Sequence, residues 1–156
     1  MSESGGEDLQ ALSQQLQVLE EQRERLDEQV DLLRDQRLAL REAAEAIESL
    51  ETGSTVQVPL GGGAYVRAEI DDIDEIIVEI GAGYAAEQAE EDAVETLESR
   101  QDTIDGRIED VRSEIGEVEA HMDQLEQRAR QAQQQQLQQM QQQQMQQQQQ
   151  GDQPDE

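Results

Sequence analysis

A chain of 156 residues with 38 acidic and 11 basic side chains carries a formal charge of −27, and it holds no Cys, Phe or Trp. There is room for one domain, but not for an aromatic-filled globular core, because large aromatic side chains normally supply much of the area such a core buries. So strong a negative charge repels nucleic acid and anionic membrane surfaces, which demand clustered cations; with every basic residue an Arg, it suits a salt-rich cytoplasm where counterions screen self-repulsion.

In chain order, residues 1–7 read as a disordered N-terminus. The opening MSESGGEDLQ has neither the basic nor the apolar region of a signal peptide, and no apolar run nears the roughly 20 residues that span a bilayer. A cytoplasmic location is expected. From Leu9 the apolar residues step by three and four. With Leu9 at heptad position a, the d positions are Leu12, Leu19, Leu26, Leu33, Leu40 and Ile47. The a positions are Leu9, Leu16, Arg23, Val30, Arg37 and Ala44. This repeat predicts a coiled-coil arm over 8–52. Arg23 and Arg37 interrupt the stripe, lowering stability while fixing register. Thr52-Gly53 supplies the helix end, since Gly readily takes the left-handed conformation.

Over 53–86 the period drops to two. Val56, Val58 and Leu60 alternate with Thr55, Gln57 and Pro59, and Gly61-Gly62-Gly63 offers the positive φ of a tight turn. Val66, Ala68 and Ile70 alternate with Tyr65, Arg67 and Glu69. After a turn at Asp71-Asp72 come Ile76, Val78 and Ile80, then a bend bracketed by Gly81 and Gly83, then a short strand at Tyr84-Ala85-Ala86. Two β-hairpins are predicted. At the end of a bare coiled coil they have nothing of their own to cover Val56, Val58, Ile76, Val78 and Ile80. An isolated hairpin is marginal in water, and its open edges invite further strands. The insert is therefore read as a surface that oligomerises, resting on Val56, Val58, Leu60, Val66, Ile70, Ile76, Val78 and Ile80.

A second arm over 87–132 repeats the heptad. Its a positions are Val94, Gln101, Ile108, Ile115, Met122 and Ala129; its d positions are Leu97, Ile104, Val111, Val118, Leu125 and Ala132. Only the insert separates the arms, so they are expected to fold back antiparallel, each extending about 65 Å at 1.5 Å per residue. Placing Ile47 opposite Val94 also pairs Ala44 with Leu97, Leu16 with Leu125, Leu12 with Ala129 and Leu9 with Ala132. Layers of Leu against Ala bury less area than Leu against Leu. The open end is expected to fray and expose Leu9, Leu12 and Leu16. The tail from 133, QQQQLQQMQQQQMQQQQQGDQPDE, is of low complexity and reads as a soluble, mostly disordered extension. Its Leu137, Met140 and Met145 are adaptable apolar side chains.

The fold class is thus mainly α with a β insert: an antiparallel two-helix coiled coil carrying two β-hairpins at its connected end. The order heptad arm, VPLGGGAYVRAEIDDIDEIIVEIGAGYAAEQ, heptad arm resembles the α subunits of archaeal prefoldins from about residue 8 to residue 132. The most specific stretches are Val58–Val66 and Val78–Glu87. The resemblance implies a heterohexamer with prefoldin β subunits, two α and four β, whose hairpins build a β-barrel platform. It implies that the coiled-coil tips hold unfolded client polypeptides without ATP and pass them to a group II chaperonin. The client-contacting residues would be Leu9, Leu12, Leu16, Leu125, Ala129 and Ala132, with Leu137 and Met140 from the tail. The charge and the Gln-rich tail depart from the family pattern.

Other chemistry is poorly served. The triple Gly lacks the Lys-Ser/Thr of a phosphate loop. His121, the only His, falls at a g position with no second His or Cys to form a metal site. No carboxylate pair sits in a predicted pocket that would separate their proton affinities. Neither catalysis nor a cofactor is expected. Two other readings stand beside the chaperone: a structural tether using the same hairpins, and a coiled-coil arm detached from a larger enzyme, which the charge disfavours.

Overall fold

A computed structural model describes residues 3–151. The order of elements is α1 (Glu3–Ser49), β1 (Thr55–Gly61), β2 (Ala64–Glu69), β3 (Ile76–Gly81), β4 (Tyr84–Gln88) and α2 (Glu90–Gly151). Two long helices thus flank two small antiparallel hairpins, the fold class expected. The backbone divides into two compact units. One joins α1 up to Gln29 to α2 from Val111 onward; the other runs Val30–Asp110 and holds both hairpins.

In the first unit the shielded side chains recur at heptad spacing. Leu26, Val111, Val118, Met122 and Leu125 are buried, while Leu9, Leu12, Leu16, Leu19, Ile115, Ala129 and Ala132 are half-buried. Most residues between them are exposed, so each helix hides one narrow stripe, as a coiled-coil seam requires. Arg23 takes its a position half-buried, with its guanidinium donating to Glu20 Oε1 at 2.9 Å. The stem lies along the seam and the charged head reaches out.

Both ends of this unit correct the expectations. Residues 3–7 belong to α1, and α2 continues unbroken through the Gln-rich stretch to Gly151. Gln ranks close to Lys and Glu as a helix former, and extending an existing helix is far easier than nucleating one. Low complexity misleads here because it measures variety, not helix propensity. Residues 1–2 and 152–156, expected to be disordered, lie outside the described residues. Leu9, Leu12 and Leu16 are half-buried rather than freely exposed.

In the second unit Val30, Leu33, Ile104 and Ile108 are buried along the seam. Ala44 and Leu97, expected to share a layer, lie in one buried cluster. Arg37, at an a position, meets Asp105 of α2 in an ion pair whose Nε lacks an aligned hydrogen bond. α1 stops at Ser49, short of Thr52, and Gly53 serves the turn that follows, with φ +88°. That turn is closed by Ser54 N–H donating to Glu51 O at 3.0 Å. Gly53 N–H donates to Ile70 O at 2.8 Å and Ile70 N–H to Ser54 O at 2.9 Å, which tightens the base of the first hairpin. Glu90, Glu91 and Asp92 fill the first turn of α2, where its positive end favours carboxylates.

The two hairpins are built alike, with corresponding residues twenty positions apart. In the first, Val58 pairs with Val66, Pro59 with Tyr65 and Gly61 with Ala64, leaving Leu60 as an extra bulged residue. In the second, Val78 pairs with Ala86, Glu79 with Ala85 and Gly81 with Tyr84, leaving Ile80 extra. The loops are Gly62-Gly63, at φ +60° and +81°, and Ala82-Gly83, at φ +53° and +80°. Two positive φ values in succession match the twist of antiparallel strands. The strands form two separate two-stranded sheets.

Candidate functional site

Because strand side chains alternate, each hairpin has two faces, and the twenty-residue correspondence allows direct comparison. In β3–β4, the face bearing Ile76, Val78 and Ala86 turns toward the helices. Val78 is only 5% exposed and lies in a cluster with Ala44, Ala93 and Leu97, bordered by Leu40, Ala43, Ile47, Ile76 and Val94. This corrects the expectation that Val78 and Ile76 lack cover within one chain. Three small side chains, Ala43, Ala44 and Ala93, leave the room in which the hairpin seats. Heptad counting scores a and d positions and overlooks Ala93, which sits at g and is fully buried. Its small size beside the seam was the available signal.

The matching face of β1–β2 is covered less. Val56 and Ala68 are half-buried, as is Ile70 just beyond β2, while Val58 and Val66 remain exposed. Each bulge holds an open aliphatic side chain: Leu60 is 67% exposed and Ile80 54%. Tyr65, Ile77 and Tyr84 also stand exposed. Sequence reasoning placed the tyrosines in the strands but counted neither them nor Ile77 toward the sticky surface. The eight expected assembly residues therefore divide. Val58, Leu60, Val66 and Ile80 are open; Val56, Ile70 and Ile76 are partly covered; Val78 is closed.

The expected client-contacting residues divide too. Leu125 is 2% exposed, deep in the seam of the first unit; Leu9, Leu12, Leu16, Ala129 and Ala132 are half-buried; Leu137 and Met140 are exposed on the last part of α2. Surface grooves in the second unit offer little chemistry. One is lined by Arg37, Arg41, Glu45, Glu48, Glu98 and Gln101, another by Glu48, Glu90, Glu91, Val94, Glu95 and Glu98. Neither presents a nucleophile beside a base. Among the described residues no three His, Asp or Glu are grouped to hold a metal ion, and no helix is long and apolar enough to cross a membrane.

The family model for the prefoldin subunit matches residues 12–151. The chain is 60% identical over 112 residues to prefoldin subunit alpha of Halorubrum lacusprofundi, covering 72% of this chain and 74% of that protein. It is 64% identical over 113 residues to prefoldin subunit alpha of Halobacterium salinarum, covering 71% and 73%. Against prefoldin subunit alpha of Haloarcula marismortui it is 56% identical over 82 residues, and the match spans about half of each chain, 53%. Among solved structures, a cryo-EM structure of filamentous PFD from Methanocaldococcus jannaschii is 26% identical, with a TM-score of 0.49, covering 76% of this chain and 95% of that one.

Proposed function

The chain belongs to the prefoldin family, and from that premise we propose that it is the two-hairpin α subunit of an ATP-independent holdase of the cytoplasm. Two copies would join four one-hairpin β subunits through their strands, and the complex would deliver non-native polypeptides to a group II chaperonin. The observation that carries this reading is the open apolar set on the hairpins, Val58, Leu60, Val66 and Ile80, within a chain otherwise coated with carboxylates. Apolar area exposed in this way gains roughly 25 cal/mol per Å² when a partner strand covers it. Val56, Ile70 and Ile76 border that set, and Val78 supports it from behind by anchoring the second hairpin.

Clients would be held at the other end of the arms. Leu9 with Ala132 and Leu12 with Ala129 would form thin layers that can part, opening onto Leu16 and Leu125 behind them and offering a cleft of Leu side chains to an unfolded segment. Leu137 and Met140 extend the contact without any parting. The grip is apolar and needs no nucleotide.

The test is light scattering from an unfolding model protein mixed with the complex reconstituted from this chain and a one-hairpin partner subunit. Suppressed aggregation is expected with the full-length chain, and its loss is expected when residues 1–16 and 126–156 are deleted. Aggregation unchanged by the intact complex would defeat the holdase reading and leave a structural tether.

A further inference from the structure

The chain has no Cys, so its four methionines are its only sulfur. Met1 lies outside the described residues. Met122 fills an a position of the seam in the first unit and is 8% exposed, whereas Met140 and Met145, on the last part of α2, are 59% and 68% exposed. Side chains three and four positions apart on a helix are neighbours. Every residue at those distances from Met140 or Met145 is a Gln, apart from Leu137. In a chain with 38 carboxylates, both open thioethers are thus surrounded by neutral amides.

We propose that Met140 and Met145 are a pair of reversible sulfoxidation sites, through which a peroxide switches the end of α2 from apolar to polar. The inference rests on the holdase reading, in which this segment touches the client, and it names a regulation of that contact. In the step, a thioether lone pair attacks one oxygen of hydrogen peroxide. The S–O bond forms as the O–O bond breaks, and the departing hydroxide takes the proton left on the transferred oxygen and leaves as water. Sulfur loses two electrons and the peroxide gains them. Charge separates as the O–O bond breaks, and water at the two open sites solvates it; the seam around Met122 withholds that water. The sulfoxide oxygen carries partial negative charge and accepts hydrogen bonds. Gln amides have N–H groups to donate to it, whereas carboxylates only accept and would repel it. The Gln surroundings therefore favour the oxidised form. Oxidation turns a flexible apolar side chain into a polar one. Of the three exposed apolar side chains on 137–149 it removes two and leaves Leu137. Methionine sulfoxide reductases restore the thioether.

The experiment treats the full-length chain, assembled with its partner subunits, with hydrogen peroxide in molar KCl. Peptide mass spectrometry follows the added oxygen at each methionine, and circular dichroism at 222 nm serves as the folding control. Met140 and Met145 are expected to gain oxygen about tenfold faster than Met122, because susceptibility follows exposure. The oxidised complex is expected to suppress the aggregation of an unfolding model protein several-fold less well, and a methionine sulfoxide reductase is expected to restore it. A variant with Met140→Leu and Met145→Leu keeps apolar side chains that cannot accept oxygen; it is expected to be as active as wild type and to stay so after peroxide. Equal oxidation of Met122 would overturn the assignment of the sites. If Met140 and Met145 are oxidised and suppression is unchanged, or if the Leu variant loses as much as wild type, the switch falls and the holdase reading stands. If the untreated complex suppresses nothing, the holdase reading falls and takes the switch with it, while the mass spectra still decide whether the two sites are selected.

Discussion

At the scale of single residues, Val78 and Ile80 are two positions apart on one strand and do opposite things. Val78 is closed into the cluster of Ala44, Ala93 and Leu97, whereas Ile80 sits on a bulge in the open. Asp at 78 would bury an unpaired charge, and Val78→Asp is expected to destabilise the second unit by about 4 kcal/mol. Thermal unfolding followed at 222 nm would show this as a lower midpoint, and a midpoint unchanged from wild type would contradict the burial of Val78. Ile80→Asp is expected to leave the unassembled chain within about 0.5 kcal/mol of wild type while abolishing association with the partner subunit. Alternation along β3 treats the two residues as equivalents, and this was the limit of sequence reasoning here. The bulge that separates them has no marker beyond the Gly that follows.

At the scale of elements, the helices obey their heptads closely. The a and d residues from Leu9 to Ile47 and from Val94 to Ala132 are all shielded, down to half-buried Arg23 and Arg37. That agreement is local in origin, because a period of three and four places those side chains on one stripe whatever the partner. Helix ends were less readable: α2 runs on past 132 because nothing in the Gln stretch stops it, neither Pro nor a turn-forming pair. Gly106 and Gly116 are the weak points of α2. A Cβ built at either meets nothing within 4 Å, so Gly106→Ala and Gly116→Ala are each expected to stabilise the helix by about 1 kcal/mol. The double variant should unfold at a higher temperature. A lower melting temperature would mean that the glycines accommodate a neighbour in the assembled protein.

At the scale of the whole molecule, 38 acidic residues against 11 basic ones oppose any association of like chains. Screening lengths shrink from about 10 Å at 0.1 M salt to about 3 Å at 1 M. The hairpin contacts must overcome that repulsion, so the assembly is expected to dissociate as KCl is lowered from molar to millimolar. Sedimentation velocity across such a series would record it, and a sedimentation coefficient independent of salt would refute it. The curated relatives from Halorubrum, Halobacterium and Haloarcula fit a chain suited to concentrated salt.

Read from residues alone, this chain already specified two heptad helices, two hairpins and their turns, because period, glycine placement and charge act over short stretches of chain. The face of each hairpin that would be covered was not specified in that way. A strand with apolar residues on alternate positions marks its faces but holds no preference between a neighbour's surface and its own. For the second hairpin the choice was made by Ala43, Ala44 and Ala93, small residues from two helices far apart in sequence, whose joint surface exists only once both helices are in place. The first hairpin lacks so complete a seat, and for that reason its Val58 and Val66 remain open to a partner.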